Sequence, residues 1–144
     1  MFATSTYPRC QAARSFSSHY HLVGVQSQID SASPHQLVAM LFDGLIDAIA
    51  QAKGAMRCGN LEAKGRAIGR AVRIVEEGLK AGLDRNGGGS LAADLDDLYA
   101  YTTLRLTQAN LRNEEAALDE CVRLMQPLRD AWAAIDPQAG TSAR

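Results

Sequence analysis

Residues 31–51 read SASPHQLVAMLFDGLIDAIAQ, and the first six of them already specify a helix start. Ser33 offers a hydroxyl to free amides, Pro34 suits the first helical position, where an N–H would have no partner, and Gln36 completes a capping box. The pattern predicts a helix from about Pro34. Behind that start, Leu37, Val38, Leu41, Phe42, Leu45, Ile46, Ile49 and Ala52 recur at helical spacing. They cover more of the circumference than a helix packed on one side requires, so this helix touches neighbours on two sides.

Working outward, the helix ends near Cys58, where Gly59 offers a left-handed cap and Asn60 can cap the next helix at once. So short a turn makes the two helices antiparallel neighbours. The second helix runs from about Leu61 to Gly82 with Ile68, Val72, Val75 and Leu79 as its stripe. Ile74 and Leu83 lie beside that stripe, and Lys64, Arg66, Arg70 and Arg73 cover most of the remainder. Gly65 and Gly69, four apart on one face, either permit a close helix approach or cost stability. The loop LDRNGGGS at Leu83 to Ser90 lacks the GxxxxGK[ST] phosphate-binding pattern and any βαβ context, and reads as a helix connection.

A third helix is predicted from Ser90 to about Arg112, with Leu91, Leu95, Leu98, Thr102 and Leu106 inward and Tyr99, Tyr101 and Leu104 flanking. Asp94, Asp96 and Asp97 sit in its first turns, where the helix dipole favours negative charge, and that suffices to explain them. Asn113 is read as the cap of a fourth helix. Its stripe is Leu118, Cys121, Met125, Leu128, Trp132 and Ile135, at alternating spacings of three and four. Pro127 inside that helix predicts a kink, and Asp136-Pro137 stops it. Four amphipathic helices with short connections give an all-α, antiparallel up-down-up-down four-helix bundle.

Upstream, residues 1–18 show no period and read as a tail, as do residues 137–144. Residues 19–30 form an apolar arm through Tyr20, Leu22, Val23, Val25 and Ile29, too short to stand alone, so the domain is taken as 19–136. With 144 residues, 47% of them apolar, one domain with a substantial core is expected. A net charge of −1 argues against a nucleic-acid partner. The balance is uneven: Lys53 to Arg85 holds eight basic residues against four acids, and Asp94 to Asp136 four against nine. This reads as a basic and an acidic helix presenting solvated faces.

Three widely spaced cysteines, Cys10, Cys58 and Cys121, suggest neither a disulfide framework nor a zinc site, and fit a reducing compartment. No run approaches the ~18 to 20 apolar residues that cross a bilayer, and residues 1–20 lack the apolar core of a secretory signal. Cytoplasmic residence without membrane insertion is the expectation. His19 and His21 have no further ligands to complete a metal site. Di-iron bundles draw on Glu-x-x-His pairs, whereas every histidine here lies at or before His35. No catalytic constellation emerges, so the chain reads as a non-enzyme without cofactor or metal.

The segments SASPHQLVAMLFDG at Ser31 to Gly44, KGRAIGRAVRIVEEGLKAGLD at Lys64 to Asp84, GGSLAADLDDLYAY at Gly88 to Tyr101, RLTQANLRN at Arg105 to Asn113 and LRDAW at Leu128 to Trp132 together resemble the FliS family of flagellar secretion chaperones. The resemblance extends in order from about Tyr20 to Ile135. It implies a cytoplasmic chaperone that binds the disordered C-terminal segment of flagellin, prevents premature polymerisation and delivers its client to the cytoplasmic domain of the flagellar export gate. It also implies that client helices lie in apolar grooves of the bundle, and that the N-terminal arm covers part of that surface when no client is bound. Tyr20 matches the family's N-terminal tyrosine, associated with client and gate contacts.

The residues meet this reading at the wide apolar face of the first helix and at the arm, which has no fold of its own. The partner-binding candidates are Tyr20, Val23, Val25 and Ile29 on the arm and Met40, Leu41 and Leu45 on the first helix. Thr102, where the family often has methionine, Ser90, where glutamate is common, and Pro127 depart from the pattern. An alternative of another class is a regulatory adaptor whose partner is a flagellar regulator.

Overall fold

The computed structural model describes residues 31–84 and 86–135, and all of its regular structure there is helical. The chain divides into two compact units, Met1–Leu37 and Val38–Arg144. The described part of the first unit is the start of α1, Pro34–Arg57. There the predicted capping box is formed in both directions: the Gln36 amide donates to Ser33 Oγ at 3.2 Å, and the Ser33 amide donates to Gln36 Oε1 at 2.8 Å.

The second unit carries the body of the bundle. Helix α1 ends in a Schellman turn: the Asn60 amide donates to the Ala55 carbonyl, the Gly59 amide to that of Met56, and Gly59 takes φ 72°. Asn60 then accepts from the Ala63 amide through Oδ1 at 3.0 Å and opens α2, Leu61–Arg73. Both caps are where the sequence places them.

The predicted second helix does not stay α to its end. From Ile74 to Lys80 it widens into a seven-residue π segment, a geometry rare outside single turns. A Cβ added to Gly78 would lie 2.9 Å from Leu41 Cδ2, so this segment and α1 approach closely at the one residue without a side chain. Gly65 and Gly69 do the opposite. An added Cβ would meet nothing within 4 Å at either, so of the two expected readings only the stability cost remains.

The glycine loop is a turn built on Asp84, whose Oδ1 accepts from the Gly87 amide and whose carbonyl accepts from that of Gly88, each at 2.8 Å. At Gly88 a Cβ would lie 2.5 Å from that carbonyl oxygen, so a side chain is excluded there by the backbone itself. Helix α3, Gly89–Arg112, follows. Asn113 ends it in the left-handed region at φ 55° and does not cap α4; that start, at Glu114, has no side-chain cap. Helix α4 is Glu115–Ala134 and runs across Pro127, which is exposed.

The core draws on every helix: Phe42, Leu45, Ile49, Ile68, Val75, Leu79, Tyr99, Leu106, Leu118, Cys121 and Met125 form one cluster. Tyr99 is buried within it and not flanking, whereas Leu91, expected inward, is exposed. Ile135 lies beyond the end of α4 and is exposed rather than part of the seam. Side-chain pairs fix the directions. Arg57 pairs with Glu115, Lys53 with Asp119 and Asp43 with Arg129, so moving back along α1 means moving forward along α4. Tyr101 and Thr102 meet Glu120 and Cys121 across α3 and α4, Lys64 of α2 meets Asn110 of α3, and Glu76 of the π segment meets Thr103 of α3. The pairs along α1 and α4 run antiparallel, and the packing of the helices is that of a bundle.

Candidate functional site

Tyr20, Val23, Val25 and Ile29 lie outside the described residues, as does the His19/His21 pair. On α1, Met40 is half-buried, Leu41 is half-buried with its methyl groups toward Gly78, and Leu45 has no exposed surface. The wide apolar face of α1 is therefore shared between the bundle core and the π segment. Of the three α1 candidates only Met40 and Leu41 present any surface in this packing.

Polar pairs lace the seams. Along α1 and α4, Lys53 Nζ lies 2.5 Å from Asp119 Oδ1, Arg57 Nε donates to Glu115 Oε1 at 2.8 Å, and Arg129 Nε donates to Asp43 Oδ1. The hydrogen bond and charge of Lys53 hold the Asp119 carboxyl below its usual range, and those of Glu115 hold the Arg57 guanidinium above its own. Along α3 and α4, Glu120 Oε1 accepts from the Tyr101 hydroxyl and from Arg105 Nε, both at 2.7 Å. These bonds favour its charged form, lowering the pKa of Glu120 and raising those of Tyr101 and Arg105.

One charged side chain is buried. Lys64, only 5% exposed, donates from Nζ to the Asn110 carbonyl at 3.0 Å and to Asn113 Oδ1 at 3.1 Å. The sequence reading placed Lys64 on the outer surface, and the structure corrects that. A signal for it existed: Lys64, Ile68, Ala71 and Val75 step by four, three and four, which puts the lysine on the buried stripe. Its stem packs in the bundle and its head closes the end of α3, whose last carbonyls lack helical partners. Asn113 is held in turn, which explains why its oxygen is not free to cap α4. A second signal lay in Asn113 itself, since asparagine is the commonest residue after glycine at a left-handed helix end.

Cys121 is a buried free thiol, its Sγ 3.8 Å from the Thr102 carbonyl, and burial pushes its pKa up to about 11. A thiol so held is a core apolar group and not a nucleophile. Cys58 is half-buried at the end of α1. Among the described residues no group of three or more His, Cys, Asp or Glu could hold a metal ion, and no helix is long and apolar enough to cross a membrane.

The surface also presents large apolar side chains. Leu61, Leu91, Leu104, Leu111 and Tyr101 are exposed large side chains on α2 and α3. The class defined by this geometry is an antiparallel helical bundle with a close-packed core and exposed leucines on its helices.

Comparison with known proteins narrows the class. The family described as flagellar protein FliS matches residues 16–139. The chain is 46% identical over 120 residues to the flagellar secretion chaperone FliS of Salmonella typhimurium, covering 83% of this chain and 89% of that one. It is 42% identical over 113 residues to the protein of the same name from Escherichia coli, covering 78% and 83%. With that from Vibrio cholerae it shares 38% over 119 residues, covering 83% and 87%. The chain belongs to the FliS family of flagellar secretion chaperones.

Proposed function

We propose that this chain is an export chaperone for flagellin: it binds the C-terminal segment of the filament subunit in the cytoplasm, masks its apolar helical faces against premature polymerisation, and hands it to the cytoplasmic domain of the flagellar export gate. The observation that carries this reading is the extent of the match to flagellar secretion chaperones, at 46% identity over 120 residues. Two features support it. Leu61, Leu104 and Leu111 are exposed, and apolar side chains at helical spacing are what a client helix covers. A π segment and two glycines without packing partners lower the helix stability of α2, which suits a bundle that adjusts to a client. The arm residues Tyr20, Val23, Val25 and Ile29, with Met40 and Leu41, are proposed to take part in that contact, and Leu45 to do so only where α1 repacks.

Calorimetric titration with a flagellin C-terminal fragment of about forty residues tests this, because apolar burial coupled to folding gives a negative heat-capacity change. The expected result is saturable binding with that signature, weakened by Tyr20→Ala. Deleting residues 1–30 reports whether the arm adds contacts or competes. No binding to the cognate fragment overturns the proposal in favour of an adaptor for a flagellar regulator.

A further inference from the structure

Helix α1 is held to the bundle differently from the other three. The backbones of α2 and α3 come close to one another, as do those of α3 and α4, while α1 stands further off. The polar bonds repeat this difference. Lys64 of α2, almost fully buried, donates to the Asn110 carbonyl and Asn113 Oδ1 at the end of α3, and Thr103 Oγ1 of α3 donates to Glu76 Oε1 of the π segment at 2.7 Å. Between α3 and α4, Arg105 Nε donates to Glu120 Oε1, and Cys121 Sγ lies against the Thr102 carbonyl inside the core. Between α1 and α4 there are three ion pairs, Asp43 with Arg129, Lys53 with Asp119 and Arg57 with Glu115, and their side chains are 28% to 67% exposed. Pairs so open to water add little to stability and are screened by salt.

The apolar grip of α1 thins toward its end. Phe42, Leu45 and Ile49 are large, but Ala48, Ala52 and Ala55 fill the rest of the buried stripe, and a methyl group withdraws little area from water. Against the π segment the contact is made at glycines: Leu41 lies over Gly78, and Ile74 Cδ1 lies 3.5 Å from where a Cβ on Gly44 would stand. Both are contacts between carbon atoms. Solvent-exposed polar bonds and sparse apolar burial mark the part of a fold that opens first.

We infer that α1 from Val38 to Arg57 is an ion-pair-held lid, which opens from α2, α3 and α4 as one unit while those three stay folded, and opens more often as ionic strength rises. Opening breaks into the shared core, so that Leu45 and Ile49 and the side chains they meet there come into water. Salt then sets how much apolar surface the chain presents. Only the free chain is involved, so the opening stands whether or not flagellin is the client.

Amide hydrogen exchange of the full chain, read residue by residue by NMR at about 0.05 M and about 0.5 M sodium chloride, tests it. A lone helix of this length is marginal in water, so the α1 amides exchange whenever the lid is open. The expected result is that the amides of Leu45, Ile49 and Ala52 exchange together, faster than those of Leu106, Leu118 and Met125. Their rate rises about tenfold at the higher salt while that of the other three holds. Lys53→Gln raises the low-salt rate of α1 about threefold and reduces its salt dependence, because one pair is already gone. Tyr101→Phe, which removes a bond between α3 and α4, leaves α1 exchange as it was. Exchange of α1 in step with α3 and α4 overturns the lid. An α1 rate indifferent to both salt and Lys53→Gln overturns its control by ion pairs.

Discussion

Lys64 and Asn113, forty-nine positions apart, are joined by a 3.1 Å hydrogen bond from the buried ammonium to the amide oxygen that ends α3. This bond ties the start of α2 to the turn between α3 and α4. Lys64→Ala removes a buried stem, orphans the Asn110 carbonyl, and is expected to cost about 2 to 4 kcal/mol in urea unfolding. Lys64→Met keeps most of the stem volume and costs less, about 1 to 2 kcal/mol. Equal and negligible effects from both would show the lysine to be a surface residue.

The glycines of α2 and the π segment are expected to respond in opposite senses. Gly65→Ala and Gly69→Ala each stabilise the fold by up to about 1 kcal/mol, since nothing lies in the way of the new methyl group. Gly78→Ala loses that gain because its methyl group meets Leu41 Cδ2. A double-mutant cycle with Leu41→Ala reads the clash directly, with a coupling of about 0.5 kcal/mol or more. Additivity there would mean that α1 and the π segment are not in contact.

Glu120 and Asp119 both have carboxyl pKa values depressed below their ordinary 4.5 and 3.8 by hydrogen bonds from Tyr101, Arg105 and Lys53. As pH falls, the unfolded chain takes up these protons first, so the stability they supply is full above the unfolded pKa values and is lost on descent through the folded ones. Melting temperature is therefore expected to fall below about pH 4.5, and Glu120→Gln to flatten that decline. An identical acid limb in wild type and variant would rule out Glu120 as a contributor.

Cys121 supplies the alkaline limb. Its thiol pKa is raised from 9.0 to about 11 in the fold, so the unfolded chain releases this proton first and stability is lost between those pH values as pH rises. The loss is on the order of 2 kcal/mol. Cys121→Ala is expected to remove that part of the pH dependence, at the expense of a small cavity. Mass-spectrometric mapping should find Cys121 unlabelled by a thiol reagent in the native protein and labelled once it unfolds; rapid labelling in the native state would contradict its burial.

The helix starts and stops were legible because each rests on a local side-chain group: Ser33, Pro34 and Gln36 at the start of α1, Gly59 and Asn60 at the first turn, and the periodic stripes behind them. Local hydrogen bonds need no distant partner, so a sequence suffices to place them. The family was legible as well, through five segments in order. Lys64 and Asn113 were not. A lysine is exposed by default, and its burial depended on carbonyl and amide oxygens supplied by a helix nearly fifty residues later. The close approach of Leu41 to Gly78 likewise joins residues far apart in the chain.

Sequence alone thus determined the four helices, their antiparallel order and the family, all consequences of short-range spacing and turn length. Tertiary packing alone decided which side of each helix remained uncovered. It buried Leu45, turned Tyr99 inward and Leu91 outward, and left Leu104 and Leu111 on an outer seam. The physical reason is that a broad apolar face can be satisfied by more than one neighbour, and only the packed bundle determines which of them it meets.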